Sequence, residues 1–324
     1  MASEIKRFIY DLLKLGKRGG SMSMLTYFFG VIVPYAAIAI FIAGFFHRVL
    51  TWASRPAPYK IPVTCGQQKS LPWIKPNYFE NPYTNFGVIG RMFGEVCLFR
   101  SLFRNLKLEL VGDRPLYRGT KFLWLGALAF HWSLFFVLFR HLRFFTEPTP
   151  SIVLLVERVD GIIQVMVPTL YLSGIVIVIA LSYLFIRRLI FPNMRYISLL
   201  SDYFVLILLL GITSAGVLMR YFYKTDVVKV KELMGSLISF HPVVPEGLSL
   251  LFYIHFFLVC VLVAYFPFSK LVHMAGIFLS PTRNLKSNSR ARRWVNPWNY
   301  PVKLHTYEEW YEENKERLKR AGLP

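Results

Sequence analysis

Acidic residues, cysteines and charge in general are scarce in this sequence. Only 17% of the 324 residues are charged, against roughly 25% in soluble globular proteins. Hydrophobic residues make up 55%, and the 38 Lys and Arg outnumber the 18 Asp and Glu, giving a formal net charge of +20. The shortage of charge predicts that much of the surface faces lipid. Because the basic residues lie between long apolar runs, they fit membrane topology signals better than a nucleic-acid-binding face, and we expect no nucleic acid partner.

The three cysteines, Cys65, Cys97 and Cys260, are far apart and form no CxxC motif. An iron–sulfur cluster or a covalently attached c-type haem would therefore lack its usual ligands. The first long apolar run begins near Leu25 and is long enough to span a bilayer, and no convincing cleavage site follows it, so we expect no cleavable signal peptide.

Five segments reach the length of about 20 predominantly apolar residues that a bilayer core requires. We therefore predict an all-α integral protein of the cell membrane with five transmembrane helices. The last helix is expected to continue, kinked at Pro267, to about Leu279. The predicted spans are Leu25–Leu50, Lys121–Phe139 with an extension to Phe145, Ile162–Ile186, Leu199–Tyr221 and Leu248–Phe266.

The distribution of Lys and Arg predicts the orientation, with 25 on one side of the predicted spans and 12 on the other. The positive-inside rule places the C-terminus and the 51–118 loop in the cytoplasm and the N-terminus outside. Residues 1–24 alternate apolar and basic positions with helical spacing, which predicts an interfacial helix. The chain thus divides into the N-terminal segment 1–24, a membrane domain over 25–280 that includes the 51–118 docking loop, and a tail over 281–324. The tail, with an acidic helix from Glu308, either docks a partner or anchors on lipid headgroups.

Four of the seven histidines lie in the second and fifth predicted helices, where lipid offers an ionisable side chain no partner. Ten positions separate His131 from His141, about 15 Å along a helix axis. Eighteen positions separate His255 from His273, about 27 Å and five full turns, so that both face the same way. No two histidines on one helix can share an iron. Because the two helices run antiparallel, depth pairs His141 with His255 and His131 with His273.

Two imidazole pairs stacked across one membrane are typical of two haem b groups, each with both axial positions filled and suited to single-electron transfer. The predicted fold is thus a dihaem b bundle. One alternative is hydrogen bonding between helices without a metal. A zinc or iron site is disfavoured, because such sites gather ligands around one point and these two helices carry no Asp or Glu in their interiors.

Other candidates concern a quinone site. Arg140 and Arg143 lie beside His141, where they would pair with haem propionates or a quinone oxygen, or else extend to lipid headgroups. His241 is a candidate proton acceptor for quinol oxidation. Lys270 lies beside His273 at the inner side of the membrane, as Arg140 and Arg143 lie beside His141 at the outer side. His47 and His305 are expected to be surface residues.

The pattern Phe130-His131 to Arg140-His141 resembles the second helix of the respiratory nitrate reductase gamma subunit family. The stretch from His255 to His273, which ends in FPFSKLVH, resembles that family's last helix. The likeness covers about residues 25–280. It implies that the four matching histidines ligate two b haems in the pairs given above, with a quinol site near the outer haem. Arg140 stands where nitrate reductase typically has a small residue, which implies a different quinone pocket.

The tail, from Arg292-Arg293-Trp-Val-Asn through Pro324, resembles that of the DsrM-type cytochrome b subunits of DsrMKJOP and of the heterodisulfide-reductase-like (Hdr-like) menaquinol oxidoreductase, Hme. That resemblance implies menaquinol as substrate and a cytoplasmic heterodisulfide reductase-like iron–sulfur subunit as partner. An outer multihaem cytochrome c and further membrane and iron–sulfur subunits would complete the complex.

We therefore expect a menaquinol-oxidising electron-transfer subunit that does not act alone on the final acceptor. Two alternatives stay open. One is the cytochrome b anchor of a nitrate or heterodisulfide reductase, and the other is a haem-free membrane anchor or transporter.

Overall fold

The computed structural model describes residues 20–55, 73, 75–112, 114–161, 169–280, 283–288 and 304–323. Most of the predicted interfacial segment 1–24 lies outside the described residues, as does 289–303 of the tail. The acidic helix predicted in the tail is present over Tyr307–Arg320, and Thr306 caps it by accepting a hydrogen bond from the amide of Glu309 at 3.2 Å.

Among the residues that the structure describes, five helices are long and apolar enough to cross a membrane, which agrees with the predicted number of spans. The first, α1, is one continuous helix with a wider π turn over Phe28–Ile32. The second, α4, adds a 3₁₀ turn over Leu142–Phe144. The bounds of the five spans are Met24–Ala53 for α1, Lys121–Phe144 for α4, Leu172–Ile190 for α6, Leu200–Tyr221 for α8 and Leu250–Phe268 for α10.

The predicted start of the third span at Ile162 lies outside the described residues, but residues 169–171 are not helical, so the span is not one helix from there. A separate helix, α5, covers Ser151–Asp160, and α6 begins only at Leu172. The carboxylate of Asp160 accepts hydrogen bonds from the amide and hydroxyl of Ser173, at 2.7 and 2.6 Å. These bonds satisfy donors in the first turn of α6, where amides have no partner inside the helix. The hydropathy of the segment does not reveal this break.

A kink was predicted at Pro267, and the structure has an interruption of the α-helix there instead. The α-helical part of α10 ends at Tyr265, and 3₁₀ turns follow over Phe266–Phe268 and Lys270–Val272. A new helix, α11, begins at His273 and runs to Leu279. Proline lacks the amide hydrogen that would continue the helix. The prediction that His255 and His273 lie five regular turns apart on one helix is therefore wrong, although both still belong to the same membrane segment.

The 51–118 loop contains regular structure, including two β-strands. The fold is therefore not wholly α-helical, although an all-α fold was predicted. Helix α2 covers Asn85–Leu98, α3 covers Arg100–Arg104, and the strands Leu106–Val111 (β1) and Arg114–Gly119 (β2) pair antiparallel. The sequence carries a signal for this hairpin, because apolar and charged residues alternate in LKLELV and the dipeptide Gly-Asp, which is typical of hairpin turns, follows it. The remaining described helices are α7 over Pro192–Ile197, α9 over Val227–Ile238 and α12 over Tyr307–Arg320.

Within the membrane segments, α4 packs on α6, α6 on α8 and α8 on α10. Gly126 allows the closest of these approaches, since a β-carbon there would lie 2.6 Å from the ring of Tyr183. Lipid tails are as apolar as leucine, so helices associate in a membrane mainly through such close packing. The buried core between α4, α6 and α8 consists of Phe130, Ile177, Ala180, Leu181 and Leu209.

The described residues form two compact units. One comes from the ranges 1–45 and 93–276 and holds the four membrane histidines. The other comes from 46–92 and 277–324. In the second unit the amide of Ser287 donates a 2.6 Å hydrogen bond to the carbonyl of Pro82, which fastens part of the tail to the chain that follows α1.

Candidate functional site

His131 on α4 and His273 at the start of α11 lie together, as depth predicted. Their ring centroids are 6.0 Å apart and the ring planes are inclined by 79°. Two imidazole nitrogens each about 2 Å from a shared metal would place the ring centroids about 6 Å apart. The observed separation therefore fits coordination of one metal between the two rings.

His141 and His255 also lie near each other. A charge on one of these rings would act on the other. Gly216 on α8 leaves room beside this pair, because a β-carbon there would lie 3.4 Å from Cε1 of His255. Phe144 contacts His141 edge-on at a centroid distance of 5.5 Å. Apolar packing of this kind keeps water away from the rings.

All four imidazoles are oriented by a backbone carbonyl at Nδ1. In His131 and His141 the acceptors are the carbonyls one helical turn earlier, Ala127 at 2.7 Å and Val137 at 2.6 Å. His255 uses the carbonyl of Ile212 on α8 at 2.9 Å, and His273 uses that of Lys270 at 2.7 Å. A carbonyl oxygen can only accept, so Nδ1 carries the proton and Nε2 keeps its lone pair. This is the tautomer of a metal-ligating histidine.

The two helices that carry His131, His141 and His255 are not packed closely on each other. Helix α4 packs on α6 and α10 packs on α8, and α4 and α10 make few close backbone approaches to each other. A cavity of about 290 Å³ borders His131, lined by Glu95, Phe99, Ser101, Leu102 and Ala127. Within the described ranges, no three His, Cys, Asp or Glu side chains converge, so the candidate ligand sets are pairs.

Arg140 belongs to a buried polar cluster next to His141. Its guanidinium lies 2.9 Å from the carboxylate of Asp160 and donates to the hydroxyl of Ser173 at 2.9 Å. Its carbon Cζ stands 3.7 Å from the ring centroid of Tyr171, and that of Arg220 stands 4.0 Å from the same ring. Both guanidiniums therefore lie within cation–π range of the Tyr171 ring. Arg140 does not extend to solvent, since its side chain is only 12% exposed.

The other predicted polar residues have separate surroundings. Arg143 pairs with Glu157 on α5 at 2.7 Å. His241 is exposed, and its Nδ1 bonds the carbonyl of Ser239 in its own turn at 2.7 Å. The structure does not bring it to the Arg140 cluster. His47 and His305 are exposed, as predicted for surface residues.

Lys270 contacts a carboxylate that the sequence analysis did not single out. Its ammonium lies 2.7 Å from Asp202, whose second neighbour is Arg188 at 3.7 Å. Asp202 is buried at the first turn of α8. A lone acid in a spanning helix is a signal that could have identified it. Asp160 carried no comparable signal, because the break before α6 was not recognisable.

The five apolar helices in the described part of the chain, with histidines of α4 close to those of α10 and α11, define a multi-pass helical membrane protein. A family model described as nitrate reductase gamma subunit matches residues 116–293. This chain belongs to that family.

Two relatives are similar over most of the chain. An Hdr-like menaquinol oxidoreductase cytochrome b-like subunit of Archaeoglobus fulgidus is 48% identical over 282 residues, which is 85% of this chain and 84% of the relative. The protein with the same description from Archaeoglobus profundus is 41% identical over 286 residues, 86% of this chain and 84% of the relative.

Proposed function

We propose that this chain is the dihaem b membrane subunit of a menaquinol-oxidising complex. The observation that carries the proposal is the arrangement of four imidazoles in two pairs between α4 and the α10–α11 segment, each with Nδ1 held and Nε2 free to ligate. His131 and His273 would hold one haem b, and His141 and His255 the other. A haem bound by two histidines supplies single-electron transfer and leaves no position for oxygen.

The protein's own contribution is orientation and exclusion of water. The backbone carbonyls fix the four rings before any cofactor binds, so little freedom is lost on ligation. Phe99 and Phe130 each contact the ring of His131 at a centroid distance of 4.8 Å. These aromatic contacts give the ring of His131 apolar neighbours.

Menaquinol is the proposed electron donor because both relatives are described as subunits of a menaquinol oxidoreductase. Its oxidation to menaquinone releases two electrons and two protons. We place this step near the His141–His255 end, which the positive-inside rule puts outside, with Arg140, Arg143 and His241 as candidate quinone-site residues. Electrons would leave at the His131–His273 end, to a cytoplasmic heterodisulfide reductase-like iron–sulfur subunit. An outer multihaem cytochrome c and further subunits are proposed partners.

The family match supports a second candidate, the cytochrome b anchor of a nitrate reductase. Purifying the native complex under mild detergent and identifying the soluble subunits distinguishes the two. An iron–sulfur subunit like heterodisulfide reductase supports the first proposal, and a molybdenum-containing nitrate reductase supports the second.

The decisive test is the haem content of the purified chain. We expect a reduced-minus-oxidised absorbance difference typical of b haems, two haems per chain by pyridine haemochrome assay, and reduction by a menaquinol analogue. A colourless protein would leave only the haem-free anchor or transporter. A single haem per chain would contradict the proposal that each of the two histidine pairs binds one haem. A reporter fused to the C-terminus tests the orientation, and an outside location would reverse the proposed direction of charge movement.

A further inference from the structure

Helix α2 exposes an apolar face and buries charged residues, which is the reverse of a helix on a water-soluble surface. After Asn85 at its start, the residues that it exposes are apolar, and four of them recur every three or four positions. Its charged residues Arg91 and Glu95 are instead buried, at 2% and 9% exposure. Water would favour the reverse orientation. The exposed stripe consists of Phe86 at 87%, Ile89 at 64%, Phe93 at 62% and Val96 at 38%.

The buried polar side is committed to bonds within the protein, so the helix cannot turn over. Arg91 donates to the carbonyls of Glu80 at 3.4 Å and Leu285 at 3.2 Å, and also to that of Arg283. Glu95 accepts from the hydroxyl of Ser101 at 2.5 Å and from its amide at 3.2 Å. Leaving either charge buried without these partners would be costly.

The C-terminal end of α2 is held at membrane depth by two tryptophans of α4. The indole of Trp132 donates to the carbonyl of Cys97 at 2.9 Å, and that of Trp124 donates to the carbonyl of Leu98 at 2.7 Å. Trp132 lies about 16 Å along the helix from Lys121, where the span begins. The last carbonyls of a helix need partners, and in hydrocarbon only the protein can supply them. The indoles meet that requirement.

The surface of α4 next to this attachment is itself apolar and exposed. Phe122, Leu125 and Phe135 are 82%, 56% and 51% exposed on a helix long enough to span the bilayer. Phe93 and Val96 continue this lipid-facing surface. A water-exposed patch of this size would be a liability for a soluble surface.

We propose that α2 is a re-entrant membrane element whose stripe Phe86–Ile89–Phe93–Val96 is covered by the acyl chains of the leaflet at the Lys121 end of the spans. Lipid, and not a protein subunit, is the occupant, because the Phe93–Val96 end of the stripe adjoins the exposed apolar surface of the spanning helix α4 and the stripe carries no charge. The 51–118 loop is therefore not only a cytoplasmic docking surface. Part of it enters the bilayer and covers the side of α4 next to His131.

The test uses nitroxide labels in the native complex reconstituted in lipid nanodiscs. Phe93→Cys and Ile89→Cys are made in a background with Cys65→Ser, Cys97→Ser and Cys260→Ala, and spin relaxation is measured with oxygen and with a water-soluble nickel chelate. Phe135→Cys, exposed on the span α4, is the lipid reference. Tyr196→Cys, 93% exposed on α7, is the reference for water. An unchanged haem spectrum shows that each variant is folded.

We expect the labels at positions 93 and 89 to collide with oxygen as often as the label at 135, and to be shielded from nickel. Nickel access equal to that at position 196 would place the stripe in water and overturn the proposal. Shielding from both reagents would show that a protein subunit covers the stripe, which also overturns it. The two labelled positions are independent, so the loss of one variant does not remove the test.

Discussion

The carbonyl oxygen of Lys270 accepts a 2.7 Å hydrogen bond from Nδ1 of His273. The ammonium of the same lysine pairs with Asp202 on α8 at 2.7 Å. The turn that orients His273 is thereby tied to a neighbouring span. Asp202 is a positioning residue in this arrangement, since it acts on His273 only through Lys270.

We predict that Asp202→Asn changes the haem at the His131–His273 pair and leaves the other unchanged. The side-chain oxygen of asparagine can still accept the hydrogen bond that Asp202 accepts from the amide of Leu199, but the charge that holds Lys270 is lost. Loss of such outer contacts typically changes metal affinity by about tenfold or more. A tenfold change in relative affinity for the two oxidation states corresponds to about 59 mV in midpoint potential. Redox titration with electron paramagnetic resonance measures this shift.

The matched control is Glu232→Gln, an exposed acid on α9. It removes the same charge without touching the Lys270 turn, so both potentials should stay at their original values. Equal shifts at both haems in Asp202→Asn would indicate a general effect of charge on the protein. No shift at either haem would show that the lysine turn does not position His273.

Much of this arrangement follows from the sequence. Hydropathy predicts five spans, and the positions of His131, His141, His255 and His273 within them predict the pairs. These features depend on the composition of each span and on the position of a residue along it, and both can be read from the sequence. A kink at Pro267 was predicted, but the interruption of the helix was not, because two 3₁₀ turns depend on local packing and on Ser269 accepting from the amide of Leu271.

The residues that the sequence did not reveal are held by contacts distant in the chain. His255 is oriented by the carbonyl of Ile212, 43 positions away. Asp160 and Ser173 meet across a break that apolar composition conceals. The proposal that α2 is re-entrant depends on the burial of Arg91 and Glu95. The periodic pattern of the sequence does not show this, because either face of the helix could be the buried one.

Paired loss of haem is the second prediction. His141→Ala and His255→Ala should remove the same haem, and His131→Ala and His273→Ala should remove the other, because each iron needs both axial ligands. Haem content and low-temperature difference spectra of the four variants measure this. His241→Ala should retain both haems. If His141→Ala and His255→Ala affected different haems, the proposed pairing would be wrong.

A third prediction concerns the space beside His255. Gly216→Val should displace this ring, because even a β-carbon at that position would lie 3.4 Å from Cε1 of His255. Overpacking of this kind costs about 1–3 kcal/mol, which lowers the occupancy of the His141–His255 haem. Gly174→Val in α6 is the control, since a β-carbon there meets nothing within 4 Å. Pyridine haemochrome assays should give two haems for the control and fewer for Gly216→Val; equal values would show that the ring tolerates the change.

The last prediction separates structure from chemistry in the Arg140–Asp160 pair. Asp160 is 4% exposed, so Arg140→Met leaves a buried carboxylate unpaired, at a cost of about 3–5 kcal/mol. We expect a lower thermal unfolding temperature for Arg140→Met and for Asp160→Leu, and partial recovery in the double variant, because removing both charges leaves neither uncompensated. Menaquinol oxidation is measured on the double variant. Retained activity would assign Arg140 a purely structural role, whereas lost activity in a stable double variant would keep it as a quinone-site candidate.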